Sequence, residues 1–308
     1  MRLISFKHAN VPDSAPGFVI ENQVFQFRDL GFGLLKSHHL EMFSKRSTLE
    51  AYKKKAEKTY DLSAVTLRPP FSPTSIRDFY SFKQHVKTAN ANRGRDVPKE
   101  WYEFPVFYFS NTTSIYGHDD TIPYPSFSEE LDYELEIACV IGKPGINIFS
   151  KVAEEYIFGY TILNDWSARD VQRKEMKVGL GPAKGKDFAT SLGPYLVTPD
   201  ELADRHIGRP GVYDLEMVAR VNGVERSRGN WKDLSWSFGQ MIDRASQDVW
   251  LQPGDVIGSG TVGTGCLLEL TKGEGPWLQP GDVVELEIER LGVLRNVVGE
   301  KRNQQKNN

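Results

Sequence analysis

The sequence predicts a mainly β, α+β protein with a few helices, in which a small N-terminal region precedes a larger domain. Val, Ile, Tyr and Phe, the side chains that strands favour, recur in short apolar runs. The 27 glycines and 17 prolines indicate many turns. Helical periodicity is scarce, so alternating strand–helix units with a parallel sheet are not expected.

The proline-dense segment 67–74 divides the chain of 308 residues. Proline does not fit the interior of helices or sheets, so the segment is predicted to be a connector. We therefore expect a small N-terminal region over 1–69, with short strands and a solvated helix over 48–58, and a main domain over 70–298. The polar residues 299–308 are expected to be disordered.

Composition and charge exclude several classes of function. The net charge of -3 is spread along the chain, which argues against a nucleic-acid partner. Cys139 and Cys266 are the two cysteines, too few for a secreted disulfide scaffold, so a reducing cytoplasm is expected. No apolar stretch has the length of a signal peptide or of a membrane span, so no membrane association is expected.

Two near-identical heptapeptides begin at Trp250 and Trp277, each continuing Leu-Gln-Pro-Gly-Asp-Val. Pro-Gly suits the two central positions of a tight turn, and the valines that follow favour strands. A repeat array would need at least three units. The two copies are therefore predicted to be similar turns that enter strands.

Residues 258–263 match the dinucleotide-binding pattern G-x-G-x-x-G. That function requires a helix directly after the glycines, whose N-terminus holds the pyrophosphate. The segment that follows, 264–271, is short and apolar and is predicted to be a strand, so we reject dinucleotide binding. The other helices are expected over 201–206 and 235–246.

Carboxylates cluster at the start of an apolar strand predicted over 131–142. Residues two apart on a strand face the same side, so Glu134 and Glu136 are expected to project together, and Asp132 with them if the strand begins early. Adjacent carboxylates repel unless a cation lies between them or one is protonated. Solvent-facing charges on an edge strand are the alternative, which the apolar run 137–141 disfavours.

Asp165 follows a second apolar run, 158–163, and is expected at the carboxyl end of a strand. The alternative is that Asp165 or Ser167 caps a helix. A site made of carboxylates without Cys or His ligands selects a hard cation, with Mg²⁺ or Mn²⁺ favoured here and Ca²⁺ also suitable.

Four segments together resemble the fumarylacetoacetate hydrolase family: 77–85 (RDFYSFKQH), 131–136 (LDYELE), 164–172 (NDWSARDVQ) and Gly185-Lys186. Their order and spacing match over about residues 70–295. The resemblance implies a mixed β-roll, a homodimer, and hydrolysis of a C–C bond in a 1,3-diketo acid of the fumarylacetoacetate or acylpyruvate type.

The resemblance also implies roles for individual residues. Asp78, Glu134, Glu136 and Asp165 would bind the metal. His85 would be the general base, oriented by Glu269, and Lys186, Arg169 and Gln172 would stabilise negative charge. Taken singly, His85 could instead be structural, Lys186 a surface charge, and Arg169 a partner of Asp170. The substrate contacts would be Tyr80, Tyr108, Thr190, Thr261 and an arginine for which the offset Arg93 and Arg95 are candidates.

Asp78 and Glu269 favour hydrolysis of the fumarylacetoacetase type, whereas Met176 stands where that enzyme has a tyrosine. The competing hypothesis is a metal-dependent decarboxylase or isomerase of a 2-oxo diacid such as oxaloacetate, which needs no activated water. A metal-binding protein without catalysis is a third, disfavoured by the complete set of catalytic residue types.

Overall fold

The computed structural model describes residues 1–11, 13–27, 30–31, 33–44, 56–92 and 94–301. Strands dominate, and the predicted mainly β fold is confirmed. The strands are β1 (Arg2–Lys7), β2 (Ala15–Ile20), β3 (Gln23–Phe27), β4 (Ala56–Asp61), β5 (Thr66–Arg68), β6 (Ser75–Phe79), β7 (Phe107–Ser110), β8 (Ile115–Tyr116), β9 (Thr121–Tyr124), β10 (Leu131–Asp132), β11 (Leu135–Ile141), β12 (Ile157–Asp165), β13 (Ser167–Ala168), β14 (Thr190–Val197), β15 (Glu216–Val221), β16 (Val224–Asn230), β17 (Asp255–Gly258), β18 (Val283–Ile288) and β19 (Gly292–Lys301).

Helices are short and lie between strands. The α-helices are α1 (Ser37–Ser44), α2 (Lys83–Ala91), α3 (Arg169–Val178), α4 (Phe238–Ser246) and α5 (Leu267–Leu270). The 3₁₀ helices cover Leu62–Ala64, Lys99–Tyr102, Ser150–Tyr156, Pro199–Arg205 and Trp231–Asp233. No helix in the described part of the chain is long and apolar enough to cross a membrane.

A large mixed sheet carries the fold, in the order β4-β3-β2-β1-β14-β12-β11-β17-β6-β7, with β5 beside β1 and β8 beside β14. A five-stranded sheet has the order β16-β15-β18-β19-β9, and β10 pairs with β13. The N-terminal strands therefore extend the large sheet across the boundary predicted near residue 69. Strands β12, β11 and β6 present the carboxylates discussed below, and β17 lies between β11 and β6.

Both faces of β11 are covered, which explains its continuous apolar run. Ile137 belongs to the core between the two sheets, where Met217 and Leu286 of the smaller sheet lie. Ala138, the next residue, faces the opposite side and joins a second core with Phe18 and Leu163. Successive strand residues alternate between faces, so burial on both sides requires apolar residues at every position.

The two heptapeptides form the predicted turns. Gly254 and Gly281 have φ values of +87° and +91°, which a type II turn requires of its third residue. Asp255 and Asp282 each donate a backbone N–H, at 3.0 Å, to the glutamine carbonyl three residues earlier. Strands β17 and β18 follow directly, as predicted.

Other predictions need correction. Of the helix expected over 48–58, residues 48–55 lie outside the described residues, and 56–58 belong to β4. The strand expected over 264–271 is wrong, because residues 267–270 form α5. The Asp132 carboxylate accepts the first two N–H groups of that helix, from Leu267 at 2.8 Å and Leu268 at 3.0 Å, and so caps its N-terminus. The expected tail begins within β19, and residues 302–308 lie outside the described part.

Candidate active site

Three carboxylates from three different strands meet inside the large sheet. Asp78 lies on β6, Glu136 on β11, and Asp165 is the last residue of β12. One oxygen of each lies within 4.8 Å of the other two, and all three side chains are buried. Neither Asp165 nor Ser167 caps a helix: the residue before α3 is Ala168, and no side chain caps that helix. Glu134 and Glu136 are also buried, so the alternative that they face solvent on an edge strand is wrong.

Two glycines make room for this cluster. A Cβ on Gly258 would lie 2.3 Å from Asp78 Oδ1, and one on Gly260 would lie 2.4 Å from the Phe79 carbonyl oxygen. The N–H of Gly260 donates to Asp78 Oδ1 at 3.2 Å and to Glu136 Oε2 at 3.1 Å. The rejected dinucleotide motif thus has a structural reason for its glycines: its backbone approaches carboxylates rather than a phosphate.

Asp165 uses one carboxylate oxygen for neighbouring side chains and keeps the other open. Its Oδ2 accepts hydrogen bonds from Tyr108 and, at 2.6 Å, from Lys186. Its Oδ1 is buried without a hydrogen-bond partner among the described residues. An unpartnered buried carboxylate oxygen is costly, so its position beside two other carboxylates suits a bound cation.

The raised pKa values of two carboxyl groups in the cluster also favour a bound cation. Burial, together with repulsion from Asp165, raises the pKa of Asp78 to about 8. Burial, with repulsion from Asp78 and Glu134, holds the pKa of Glu136 well above its usual range. Each shift arises because these carboxylates lose water without gaining enough positive charge. A divalent cation would supply that charge.

A second group of charges adjoins the first through Lys186. The Lys186 ammonium lies 2.5 Å from Glu134 Oε2, and Arg169 lies 2.7 Å from the other oxygen of Glu134. Arg169 also contacts Asp132 at 2.8 Å, so its predicted alternative partner, Asp170, is wrong. Although burial opposes ionisation of Glu134, Lys186 and Arg169 lower its pKa below the usual range. Glu134 is therefore paired with two cations, and Lys186 links it to Asp165 of the three-carboxylate cluster.

The expected continuous strand is interrupted at Tyr133 and Glu134, between β10 and β11. The N–H of Glu134 donates to the side-chain oxygen of Asn164 at 3.0 Å instead of to a strand partner. Both Glu134 and Glu136 nevertheless line the same cavity.

His85, on α2, forms a hydrogen bond from Nδ1 to Glu269 Oε1, joining α2 to α5. Glu269 Oε2 accepts the N–H of Thr264 at 3.2 Å, and the Cys266 thiol lies 3.8 Å from Oε1. Both His85 and Glu269 are buried. The arrangement fixes the imidazole so that Nε2 is the nitrogen left for chemistry, because Nδ1 is occupied by the carboxylate.

One cavity of about 290 Å³ brings these groups together. Its polar lining includes Asp78, Glu134, Glu136, His85 and Lys186. Apolar side chains form the rest of the wall, and Met176 is among them, as are Val106, Phe107 and Leu268, which the sequence did not single out. Apolar positions carry no chemical signature that would separate them from core residues in a sequence.

Most of the predicted residues line this cavity. Asp165 and Glu269 do not, although each contacts a residue that does, Lys186 and His85 respectively. The other three exceptions are among the substrate contacts. Thr190 pairs with Asp165 in the sheet but does not line the cavity. Arg95 is exposed and lines an adjoining cavity, and Arg93 lies outside the described residues. The predicted residues that do line it, besides those named above, are Tyr80, Tyr108, Arg169, Gln172 and Thr261.

Comparison with known proteins agrees with this architecture. The family model described as fumarylacetoacetate (FAA) hydrolase C-terminal matches residues 74–299. A mitochondrial oxaloacetate tautomerase of Homo sapiens is 37% identical over 225 residues, which are 71% of this chain and 64% of that protein. The chain thus spans less than two thirds of the length of that relative.

Two solved structures share the fold over 98% of this chain and 100% of theirs. One is a fumarylacetoacetate hydrolase of Exiguobacterium antarcticum, with a TM-score of 0.74 and 25% identity. The other is a maleylpyruvate hydrolase of Sphingobium in complex with manganese(II) and pyruvate, with a TM-score of 0.72 and 22% identity. The proteins similar to this chain therefore include both hydrolases and a tautomerase.

Proposed function

The chain belongs to the fumarylacetoacetate hydrolase family, and from that premise we propose that it is a metal-dependent hydrolase of a 1,3-diketo acid. Fumarylacetoacetate and acylpyruvates are the substrate types that we expect. The hydrogen-bonded His85–Glu269 pair at the wall of a carboxylate-rich cavity carries the proposal. Such a pair is what activation of a water molecule requires.

Asp78, Glu136 and Asp165 would hold the metal, with Glu134 beside them, and the donor set of carboxylate oxygens favours Mg²⁺ or Mn²⁺, with Ca²⁺ also suitable. When bound, a divalent cation supplies Lewis acidity that polarises the keto oxygens of the substrate and favours its enolate.

The protein's own groups divide the remaining work. Glu269 accepts the Nδ1–H of His85, which leaves Nε2 free to take a proton from water as that water attacks the carbonyl carbon. Lys186, Arg169 and Gln172 line the cavity and would stabilise the oxyanion that forms. The C–C bond then breaks, the electron pair leaves as an enolate, and a proton returns to carbon.

The alternative reaction is tautomerisation or decarboxylation of a 2-oxo diacid such as oxaloacetate. The 37% identity to a protein named an oxaloacetate tautomerase favours it. This reaction uses the same metal site and enolate stabilisation but incorporates no water. We also propose that the protein forms a homodimer, as the family resemblance implies, and that it is cytoplasmic, as its two cysteines indicate.

The decisive experiment supplies Mn²⁺-loaded protein with acylpyruvates, fumarylacetoacetate and oxaloacetate in H₂¹⁸O and identifies the products by mass spectrometry. Hydrolysis predicts one heavy oxygen in the newly formed carboxylic acid, dependent on metal and abolished in His85→Ala. His206→Ala is the matched control, because His206 also pairs with a glutamate, Glu154 at 2.9 Å, but lies outside the catalytic cavity. Conversion of oxaloacetate, with every diketo acid left intact, would contradict the proposal and favour the alternative.

A further inference from the structure

A second cavity, of about 320 Å³, opens beside the catalytic one. The two share Ala89, Arg169, Gln172, Met176 and Leu268 as lining residues, so they adjoin each other. Three of those shared residues are apolar, and the boundary that they line, which we term the passage, suits contact with a hydrocarbon chain. A substrate seated at the carboxylate cluster could therefore extend its distal end through this passage.

The second cavity, which we term the cationic chamber, is lined by Arg95, Arg173, Lys177 and Lys272 beyond the passage. No aspartate or glutamate is among its described lining residues. Arg173 forms an ion pair with Glu130 at 2.6 Å. Lys177 and Lys272, by contrast, form no ion pair or side-chain hydrogen bond with any residue that the structure describes.

We propose that the cationic chamber binds a second carboxylate at the distal end of the substrate, and that Lys177 and Lys272 determine this specificity. The inference rests on the proposed function only in placing the oxo-acid end of the substrate at the carboxylate cluster. Two ammonium groups without acidic partners, in a cavity that shares an apolar boundary with the catalytic one, match an acid with charge at both ends and a carbon chain between them.

The two lysines come from elements that the fold holds beside the catalytic groups. Lys177 lies in the last turn of α3, the helix that begins with Arg169. Lys272 lies two residues beyond α5, the helix that carries Glu269. Both lysines are exposed, so their attraction for an anion acts through water and is screened by salt. We therefore expect a graded preference rather than an absolute requirement.

Matched pairs of unreactive 2-oxo acids test the proposal without any turnover. The pairs are 2-oxoadipate with 2-oxohexanoate and 2-oxopimelate with 2-oxoheptanoate, which differ in a terminal carboxylate. Titration calorimetry on the Mn²⁺-loaded protein should show about tenfold tighter binding of a diacid than of its partner, as expected for two charge interactions of modest strength. The preference should weaken as salt is raised.

The double variant Lys177→Gln, Lys272→Gln should reduce that preference to about twofold or less and leave binding of the monoacids unchanged. Lys174→Gln is the matched control: Lys174 lies on the same helix, is exposed, and lines neither cavity. Equal affinity for both members of each pair, a preference that survives in the double variant, or no binding of either diacid would overturn the proposal. Failure of every diketo acid to be cleaved would instead refute the hydrolase and leave this result standing on its own.

Discussion

Glu269 makes two different hydrogen bonds with its two carboxylate oxygens, and Glu269→Gln must disturb one of them. Oε1 faces His85 Nδ1, and Oε2 accepts the N–H of Thr264 at 3.2 Å. If the glutamine oxygen stays with Thr264, its NH₂ group faces Nδ1, which must then accept a hydrogen bond. The proton moves to Nε2, and His85 has no lone pair left for water. In the opposite orientation the NH₂ group faces the Thr264 N–H, donor against donor, in a buried site.

The size of the effect follows from the bond that is lost. A hydrogen bond to a charged group contributes about 1.5–3 kcal/mol, and every 1.4 kcal/mol is tenfold in rate, so hydrolysis should slow about ten- to hundredfold. The assay is kcat at saturating Mn²⁺ with a diketo acid that the unaltered protein cleaves. Nitrogen NMR of the His85 ring should show the proton shifting from Nδ1 to Nε2.

Glu274→Gln is the matched control, because Glu274 is exposed and four residues beyond α5. It should leave both kcat and the His85 signals unchanged. A Glu269→Gln protein that hydrolyses at the original rate, while His85→Ala does not, would refute the claim that Glu269 sets the tautomer. An unchanged rate in both variants would remove His85 from the reaction altogether.

Three further predictions concern the metal site and the charges around it. Because burial and a neighbouring carboxylate raise the pKa of Asp78 from 3.8 to about 8, the metal-free protein should lose stability as the pH rises from about 4 through 8. Saturating Mn²⁺ should abolish that slope in thermal unfolding, and the same slope with and without metal would contradict it. Arg169→Met should cost about 3–5 kcal/mol in urea unfolding because it leaves the buried Asp132 carboxylate without its cation and removes one of the two cations beside Glu134. The exposed pair of Arg173 should contribute at most about 1 kcal/mol, as measured with Arg173→Gln. Gly260→Ala should destabilise the protein by about 2 kcal/mol more than Gly208→Ala in the same assay. The two glycines have similar φ values, +77° and +79°, but only a Cβ on Gly260 would meet backbone atoms. Equal losses of stability would show that this close approach does not matter.

The sequence could predict those features that depend on neighbours along the chain. The apolar run of β11 and the apolar run before Asp165 identified two strands and the residues at their ends. The two Pro-Gly turns needed only local chemistry. No local pattern in the sequence brings β6, β11 and β12 into one part of the sheet. The approach of Asp78, Glu136 and Asp165 could therefore be expected from the family resemblance alone.

What the sequence could not predict depends on distant partners. Residues 267–270 are apolar enough for a strand, and they form a helix because Asp132, 135 residues earlier in the chain, caps it. Likewise, Asn164 interrupts the strand at Glu134 by taking its N–H. Gly258 and Gly260 matched a familiar motif, but their reason is the carboxylate of Asp78, which lies 182 residues from Gly260 in sequence. In each case a side chain supplied by a remote segment overrides the local preference.

The charge distribution explains why one site could serve either proposed reaction. Lys186 stands between Glu134 and Asp165, so a positive charge lies directly beside the carboxylates that would hold the metal. Polarisation of a keto oxygen and stabilisation of an enolate use this arrangement in hydrolysis and in tautomerisation alike. His85 could also carry a proton between carbon and oxygen, so loss of activity in His85→Ala is compatible with both. The fate of the water oxygen differs between them, and its appearance in the product is therefore the observation that assigns the reaction.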